Sequence, residues 1–162
     1  MREGMLPATE SPACDAASVV ETTARIAERV SERAVRVRVV IDGRPRVRMD
    51  ATSLASVVFN LVSNAAHAID ETGALHEGTI TVTLATHGPF AVLTVADTGP
   101  GIAPEHLARV FEPGFTTRPD GTGLGLVIVR DLVEAAGGSV TVHSEAGDRA
   151  GFEVRVPLID RG

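Results

Sequence analysis

Two runs of alternating apolar residues, each turning back on itself, constrain this chain more than any other feature. Ile80, Val82 and Leu84 alternate with threonines, a Gly88-Pro89 turn follows, and Phe90 to Ala96 is apolar on both faces, as a central strand is. Val140 and Val142 lead through a loop at Glu145–Ala150 into Phe152, Val154 and Val156, and Pro157 ends the run. Hairpins at 79–96 and 139–157 require antiparallel pairing, which excludes a doubly wound parallel sheet.

Helical spacing fills much of the rest. Asp15 caps a helix over about 16–33, with Val19, Thr23, Ile26, Val30 and Ala34 as its inner face. Asp50 caps a second over about 52–71, where Leu54, Val57, Val58, Leu61, Val62, Ala65 and Ile69 form one apolar face. A third runs from Leu124 to Ala136, with Leu124, Ile128, Leu132 and Ala135 inward and Gly137-Gly138 as its C-terminal cap. Val35, Val37, Val39 and Ile41 alternate with Arg36 and Arg38 as a half-buried strand, and Arg46–Met49 adds a short one. Three long helices and five to six strands predict an α+β fold: a two-layer α/β sandwich with a mixed, mostly antiparallel sheet covered on one face. Residues 1–14 read as a tail or linker end, 15–158 as one domain and 159–162 as a tail.

A length of 162 residues fits one domain, and 44% hydrophobic content supplies one core. A net charge of −6 without a basic stripe argues against nucleic-acid binding. No apolar run approaches the roughly 20 residues of a membrane span, and the N-terminus lacks a signal-peptide core, so a cytoplasmic protein without direct membrane contact is expected. The single cysteine, Cys14, allows no internal disulfide and reads as incidental in a loose stretch. His76, His87, His106 and His143 share no metal-ligand spacing.

Four segments carry the chemistry. Asn60, Asn64 and His67 share a helix face beside the apolar stripe, and amide oxygens suit Mg²⁺ arriving with phosphates; alone, the same pattern also fits a solvated face. Asp97 follows a buried strand and opens Asp97-Thr-Gly-Pro-Gly101, where a carboxylate can accept a hydrogen bond from an exocyclic amine such as adenine N6. Gly99 and Gly101 allow close backbone approach, although Asp-x-Gly turns are common. Gly121, Gly123 and Gly125 lead straight into a helix, so that backbone N–H groups can face an anion. No Lys-Ser/Thr follows and no strand precedes them, which excludes the Walker and dinucleotide patterns. Between them lie Phe111-Glu-Pro-Gly-Phe-Thr-Thr117 and Arg118, an arginine placed to reach terminal phosphate oxygens. Phe111 and Phe115 either anchor this segment on closure or simply pack in the core. In this order and spacing the four segments fit one ATP site.

These segments resemble those of the catalytic and ATP-binding domain of bacterial two-component sensor histidine kinases, within the superfamily shared with gyrase, a heat-shock chaperone and a mismatch-repair ATPase. Asn60–Ala68 is similar to the N box, Asp97–Ile102 and Gly121–Leu126 to the two glycine boxes, and Phe111–Thr117 to the F box. The likeness covers about residues 15–158. It implies the Bergerat fold, ATP and Mg²⁺ as cofactors, and a lid over about 102–122. By carry-over, Asn64 is the metal ligand, Asn60 supports the phosphates, His67 stands near them, Asp97 reads adenine and Arg118 reaches the γ-phosphate. Gly99, Gly101, Ile102, Thr117, Thr122, Gly123, Leu124, Gly125 and Leu126 would line the nucleotide. Two departures stand out. Gly114 occupies a place where the F box usually has an aromatic, which puts lid closure in question. Asn60 stands where ATP-hydrolysing relatives carry a general-base glutamate, which disfavours hydrolysis.

Nothing before Asp15 looks like the phosphoacceptor hairpin of such kinases. The resemblance therefore implies partners: a histidine-bearing dimerisation/phosphotransfer domain from elsewhere and a response-regulator receiver domain, with this chain alone expected to be a monomer. An anti-sigma-factor type serine kinase of the same superfamily is one alternative, separable by acid-stable phosphate on its partner. A nucleotide-sensing or docking module is another.

Overall fold

The computed structural model describes residues 12–31, 35–70, 78–98, 104–115, 124–144 and 150–159. A short strand β1 (Cys14–Asp15) leads into helix α1 (Ala16–Val30), strands β2 (Val35–Ile41) and β3 (Arg46–Val47), and helix α2 (Ala51–Asp70). Strands β4 (Gly78–His87) and β5 (Phe90–Asp97) follow, then the short helix α3 (Pro104–Leu107), helix α4 (Gly125–Ala135), and strands β6 (Ser139–Ser144) and β7 (Ala150–Pro157). The main sheet has the order β2-β4-β5-β7-β6, with β2 parallel to β4 and every other pair antiparallel. Both expected hairpins form, and β5 is the central strand. Gly88, with φ +58°, opens the two-residue β4–β5 loop closed by the His87–Phe90 pair, the positive φ that a type II′ turn requires.

Alternation decides which face is covered. Ile80, Val82, Leu84, Ala91, Leu93, Val95, Phe152, Val154 and Val156 are buried beneath the helices, and the intervening Thr81, Thr83, Thr94, Glu153 and Arg155 are half-exposed. Across that core lie Leu54, Val57, Val58, Leu61, Val62, Ala65 and Ile69 of α2, all buried as their spacing predicts. Fully burying a side chain of this size stabilises the fold by about 1.5–3 kcal/mol. At the N-terminus of α2 the Ser53 N–H and hydroxyl both donate to the Asp50 carboxylate, at 3.0 and 2.7 Å.

Two helix faces differ from expectation. On α1, Ile26 and Val30 are exposed, and the buried face is Ala16, Ala17, Val20, Thr23, Ala24 and Ala27. Small side chains let α1 lie close against α2, so alanines win the face over larger residues. On α4, Leu124 and Ile128 are exposed while Val129 and Val133 are buried. The first two turns of that helix are apolar nearly all round, so hydropathy did not fix its phase. Its end matches: Gly137 N–H donates to Glu134 O and Gly138 N–H to Val133 O, with Gly137 at φ +85°, a Schellman cap.

Cys14 is a correction too. It is buried in β1 opposite Val47, and burial pushes its thiol pKa up, which makes it an inert packing residue. Beside it, Asp15 caps α1 through the Ala17 N–H at 3.1 Å and receives the Arg44 guanidinium at 2.8 Å.

The edge strand β2 has a side-chain substitute for a neighbouring strand. The Val37 N–H donates to Glu28 Oε2 at 2.6 Å, and Arg25 donates to the Val37 carbonyl at 2.8 Å. The Arg25–Glu28 pair, 3.3 Å apart on α1, thus satisfies one backbone unit of the edge and blocks strand addition there. Glu28→Ala is expected to speed Val37 amide exchange about tenfold or more and to promote concentration-dependent self-association, while Glu28→Gln, which keeps an acceptor, stays close to wild type. Amide exchange and sedimentation velocity check both.

Acid sensitivity follows from the helix caps. The Arg44 hydrogen bond, followed by those from Ser18, holds the Asp15 carboxyl below its usual pKa, and the Ser53 hydroxyl and N–H do the same for Asp50. A depressed folded-state pKa contributes stability above the unfolded value and loses it as pH falls through the folded value. Urea midpoints should fall on acidification below about pH 4, and less steeply in the double variant Asp15→Asn, Asp50→Asn.

Candidate functional site

The polar side of α2 meets the start of α4. Asn60 and Asn64 are half-buried one turn apart, and His67 is exposed one turn further on. A Cβ at position 125 would lie 3.0 Å from Asn60 Oδ1, so Gly125 lets the first turn of α4 approach the α2 amide. Leu124 caps that turn, its carbonyl accepting the Ile128 N–H at 3.0 Å, and Leu126 packs partly against the core.

Asp97 ends the central strand and is 4% exposed, the one buried charged side chain among the described residues. Burying a carboxylate is costly unless it is paired or hydrogen-bonded, which sets Asp97 apart from the apolar residues of the same row. Its strand position puts it on the helix-covered face with Ala91, Leu93 and Val95. Its cross-strand partner is Ile80, two residues beyond Gly78, which the Ile69 side chain covers so closely that no Cβ fits. Asp97 therefore lies beneath the end of α2 that carries Asn64 and His67. Thr98 fastens the strand end: its N–H donates to Thr79 O and its hydroxyl accepts the Thr79 N–H, both at 3.2 Å.

The structure thus brings Asn60 of α2 against Gly125 at the start of α4, beside Leu124 and Leu126, with Asn64 and His67 further along the same side of α2 and Asp97 at the end of β5. Gly99, Gly101, Ile102, Thr117, Arg118, Thr122 and Gly123 lie outside the described residues, as do both ends of the expected lid. Sequence reasoning missed Ser56, whose main-chain carbonyl accepts from Asn60 Nδ2 at 2.7 Å. A hydroxyl residue four positions before a site asparagine on one helix is the signal that could have found it. No three His, Cys, Asp or Glu side chains cluster among the described residues. The donor set here is neutral amide oxygen, which fits a hard cation such as Mg²⁺ shared with phosphates.

Between β5 and α4, the described part of the segment turns through α3 and a run of tight turns. Phe111 packs edge-on against Phe152 of β7, with ring centroids 6.1 Å apart, and anchors the segment to the core beside buried Val110. Phe115 meets the His106 ring, with centroids 5.4 Å apart, and the Arg109 guanidinium, 4.6 Å from its centroid. Glu112 accepts the Phe115 N–H at 3.1 Å, with Pro113 and Gly114 between and Gly114 at φ +79°. That is a type II turn, which needs a residue able to adopt positive φ at the place of Gly114. The glycine that departs from the F-box pattern is thus required by the local backbone.

Residues 49–160 match the family described as histidine kinase-, DNA gyrase B-, and HSP90-like ATPase. The sensor histidine kinase ZraS of Salmonella typhi is 44% identical over 117 residues, covering 72% of this chain and 24% of that protein. The sensor protein IrlS of Burkholderia pseudomallei is 38% identical over 149 residues, covering 88% of this chain and 31% of that protein. The chain therefore spans about a quarter to a third of these relatives. Among solved structures, the mycobacterial sensor histidine kinase MprB superposes with a TM-score of 0.78 at 26% identity, over 90% of this chain and 97% of that one. Full-length ShkA in complex with AMPPNP superposes with a TM-score of 0.79 at 29% identity, over 97% of this chain and 33% of that one.

Replacing Gly114 by alanine should strain the turn by about 1–2 kcal/mol. The Phe115 amide is then expected to exchange about tenfold faster, with the β5 and α2 amides unchanged, as amide exchange by NMR would show.

Proposed function

Because this chain belongs to the histidine kinase-, DNA gyrase B- and HSP90-like ATPase family, we propose that it is the ATP-binding catalytic domain of a sensor histidine kinase. In this reading it binds Mg-ATP and delivers the γ-phosphoryl group to a histidine on a dimerisation/phosphotransfer domain outside this chain, for relay to a response-regulator receiver domain. The observation that carries it is the buried Asp97 at the end of the central strand, on the helix-covered face of the sheet and toward the end of α2.

Each residue has a task in this reading. Asp97 accepts a hydrogen bond from the adenine amine and rejects a base that presents an acceptor there. Asn64 offers its amide oxygen to Mg²⁺, which when bound neutralises phosphate charge. Leu124, Gly125 and Leu126 set the nucleotide against the start of α4, and Gly99, Gly101, Ile102, Thr117, Thr122 and Gly123 complete the lining. His67 stands at the rim near the phosphates, and Arg118 reaches the γ-phosphate. Asn60 lacks a basic group that could take a proton from water, so water is a poor nucleophile here. The incoming imidazole nitrogen forms the N–P bond as the bond from the γ-phosphorus to the bridging oxygen breaks and ADP departs. The domain contributes positioning and charge neutralisation, which is most of what phosphoryl transfer needs.

Calorimetric titration with AMPPNP, with and without Mg²⁺, tests the reading. Asp97→Asn is expected to weaken binding at least about tenfold, or ~1.4 kcal/mol, in both conditions. Asn64→Asp should change only the metal-dependent part. Wild-type binding by both variants would sink the site assignment.

A further inference from the structure

Asn60 stands where the two sides of the candidate site meet, and its side-chain amide is held in one orientation. Nδ2 donates to the main-chain oxygen of Ser56 at 2.7 Å and to the Ser56 hydroxyl oxygen at 3.3 Å. The amide cannot be reversed, because the Ser56 carbonyl only accepts and would face a second carbonyl oxygen. Its nitrogen end is therefore spent on α2. The oxygen end is the one presented to α4, where a Cβ on residue 125 would come within 3.0 Å of it.

We propose that Ser56 is a positioning residue: by holding the amide nitrogen of Asn60, it makes that side chain a pure acceptor toward the start of α4. This rests on the nucleotide-binding reading above and refines it. An acceptor at this place repels phosphate oxygens and matches a cation, or a water held by one. Asn60 thus serves the metal-bearing side of the nucleotide, in contrast to the phosphate-supporting role that the resemblance implies. The hydroxyl contributes because the Ser56 carbonyl also takes the Asn60 main-chain N–H in the helical ladder. A donor sharing a crowded carbonyl is held more firmly when a second acceptor lies beside it.

Ser56→Ala, Ser56→Thr and wild type, all ¹⁵N-labelled, separate the possibilities. In nucleotide-free protein, the Asn60 side-chain amide protons should exchange with water about threefold to tenfold faster in Ser56→Ala, the span of one modest hydrogen bond, and Ser56→Thr should restore slow exchange. With AMPPNP, Ser56→Ala should weaken Mg²⁺-dependent binding by a similar factor and leave metal-free binding unchanged. A merely structural role would lower the melting temperature and weaken both arms together, and that result would overturn the proposal. So would an Ala variant whose Asn60 amide and Mg²⁺-dependent affinity both match wild type. If wild type binds no AMPPNP, the nucleotide reading fails, and unchanged Asn60 amide exchange in Ser56→Ala would then overturn the hold by itself.

Discussion

The burial of one face of α2 on the central strands is the constraint on which the rest depends. Leu54, Val57, Val58, Leu61, Val62, Ala65 and Ile69 spend that face on the core. A helix so fixed has no freedom to rotate, because turning it would expose apolar area worth about 25 cal/mol per Å². The opposite edge, with Asn60, Asn64 and His67, is thereby aimed at one place. α1 closes one flank through its alanines, and α4 closes the other through Gly125. The polar site is a by-product of a hydrophobic decision made one helix face away.

The buried carboxylate is the cost of this arrangement. Asp97 ends a strand whose alternate residues are all core, and only the end of the sheet lets a charged group occupy that row. The hydrogen bonds between Thr98 and Thr79 fasten the strand end, so the carboxylate is set by two strands and lies toward the end of α2, where Ile69 packs on Gly78. The intervening segment is built differently. Phe111 fixes it to β7, while Phe115, Arg109, His106 and the Pro113-Gly114 turn organise it locally. One end is thus anchored by burial and the other by weaker surface contacts.

Much of this was legible from residue order. Both hairpins, the central place of β5, the α2 face and the Gly137-Gly138 cap follow from patterns in which one signal dominates. The misreadings arose where two signals competed. In α1, large residues such as Ile26 and Val30 suggested the inner face, but close contact between helices favoured Ala16, Ala17, Ala24 and Ala27. In α4, apolar residues on nearly every side left the phase open until contact with the sheet selected Val129 and Val133. Cys14 read as incidental because its pairing with Val47 spans a sequence gap that local pattern does not reach.

The sequence by itself determined the order of elements, the antiparallel hairpins and the four segments that carry the family resemblance, because turn residues, periodicity and glycine spacing are local properties. Only the tertiary structure decided which faces of α1 and α4 are covered, that Asp97 lies beneath the end of α2, and which end of the Asn60 amide faces α4. Those outcomes depend on contacts between residues far apart in the chain, where close packing and the pairing of hydrogen-bond donors with acceptors select one arrangement among several that the local pattern allows.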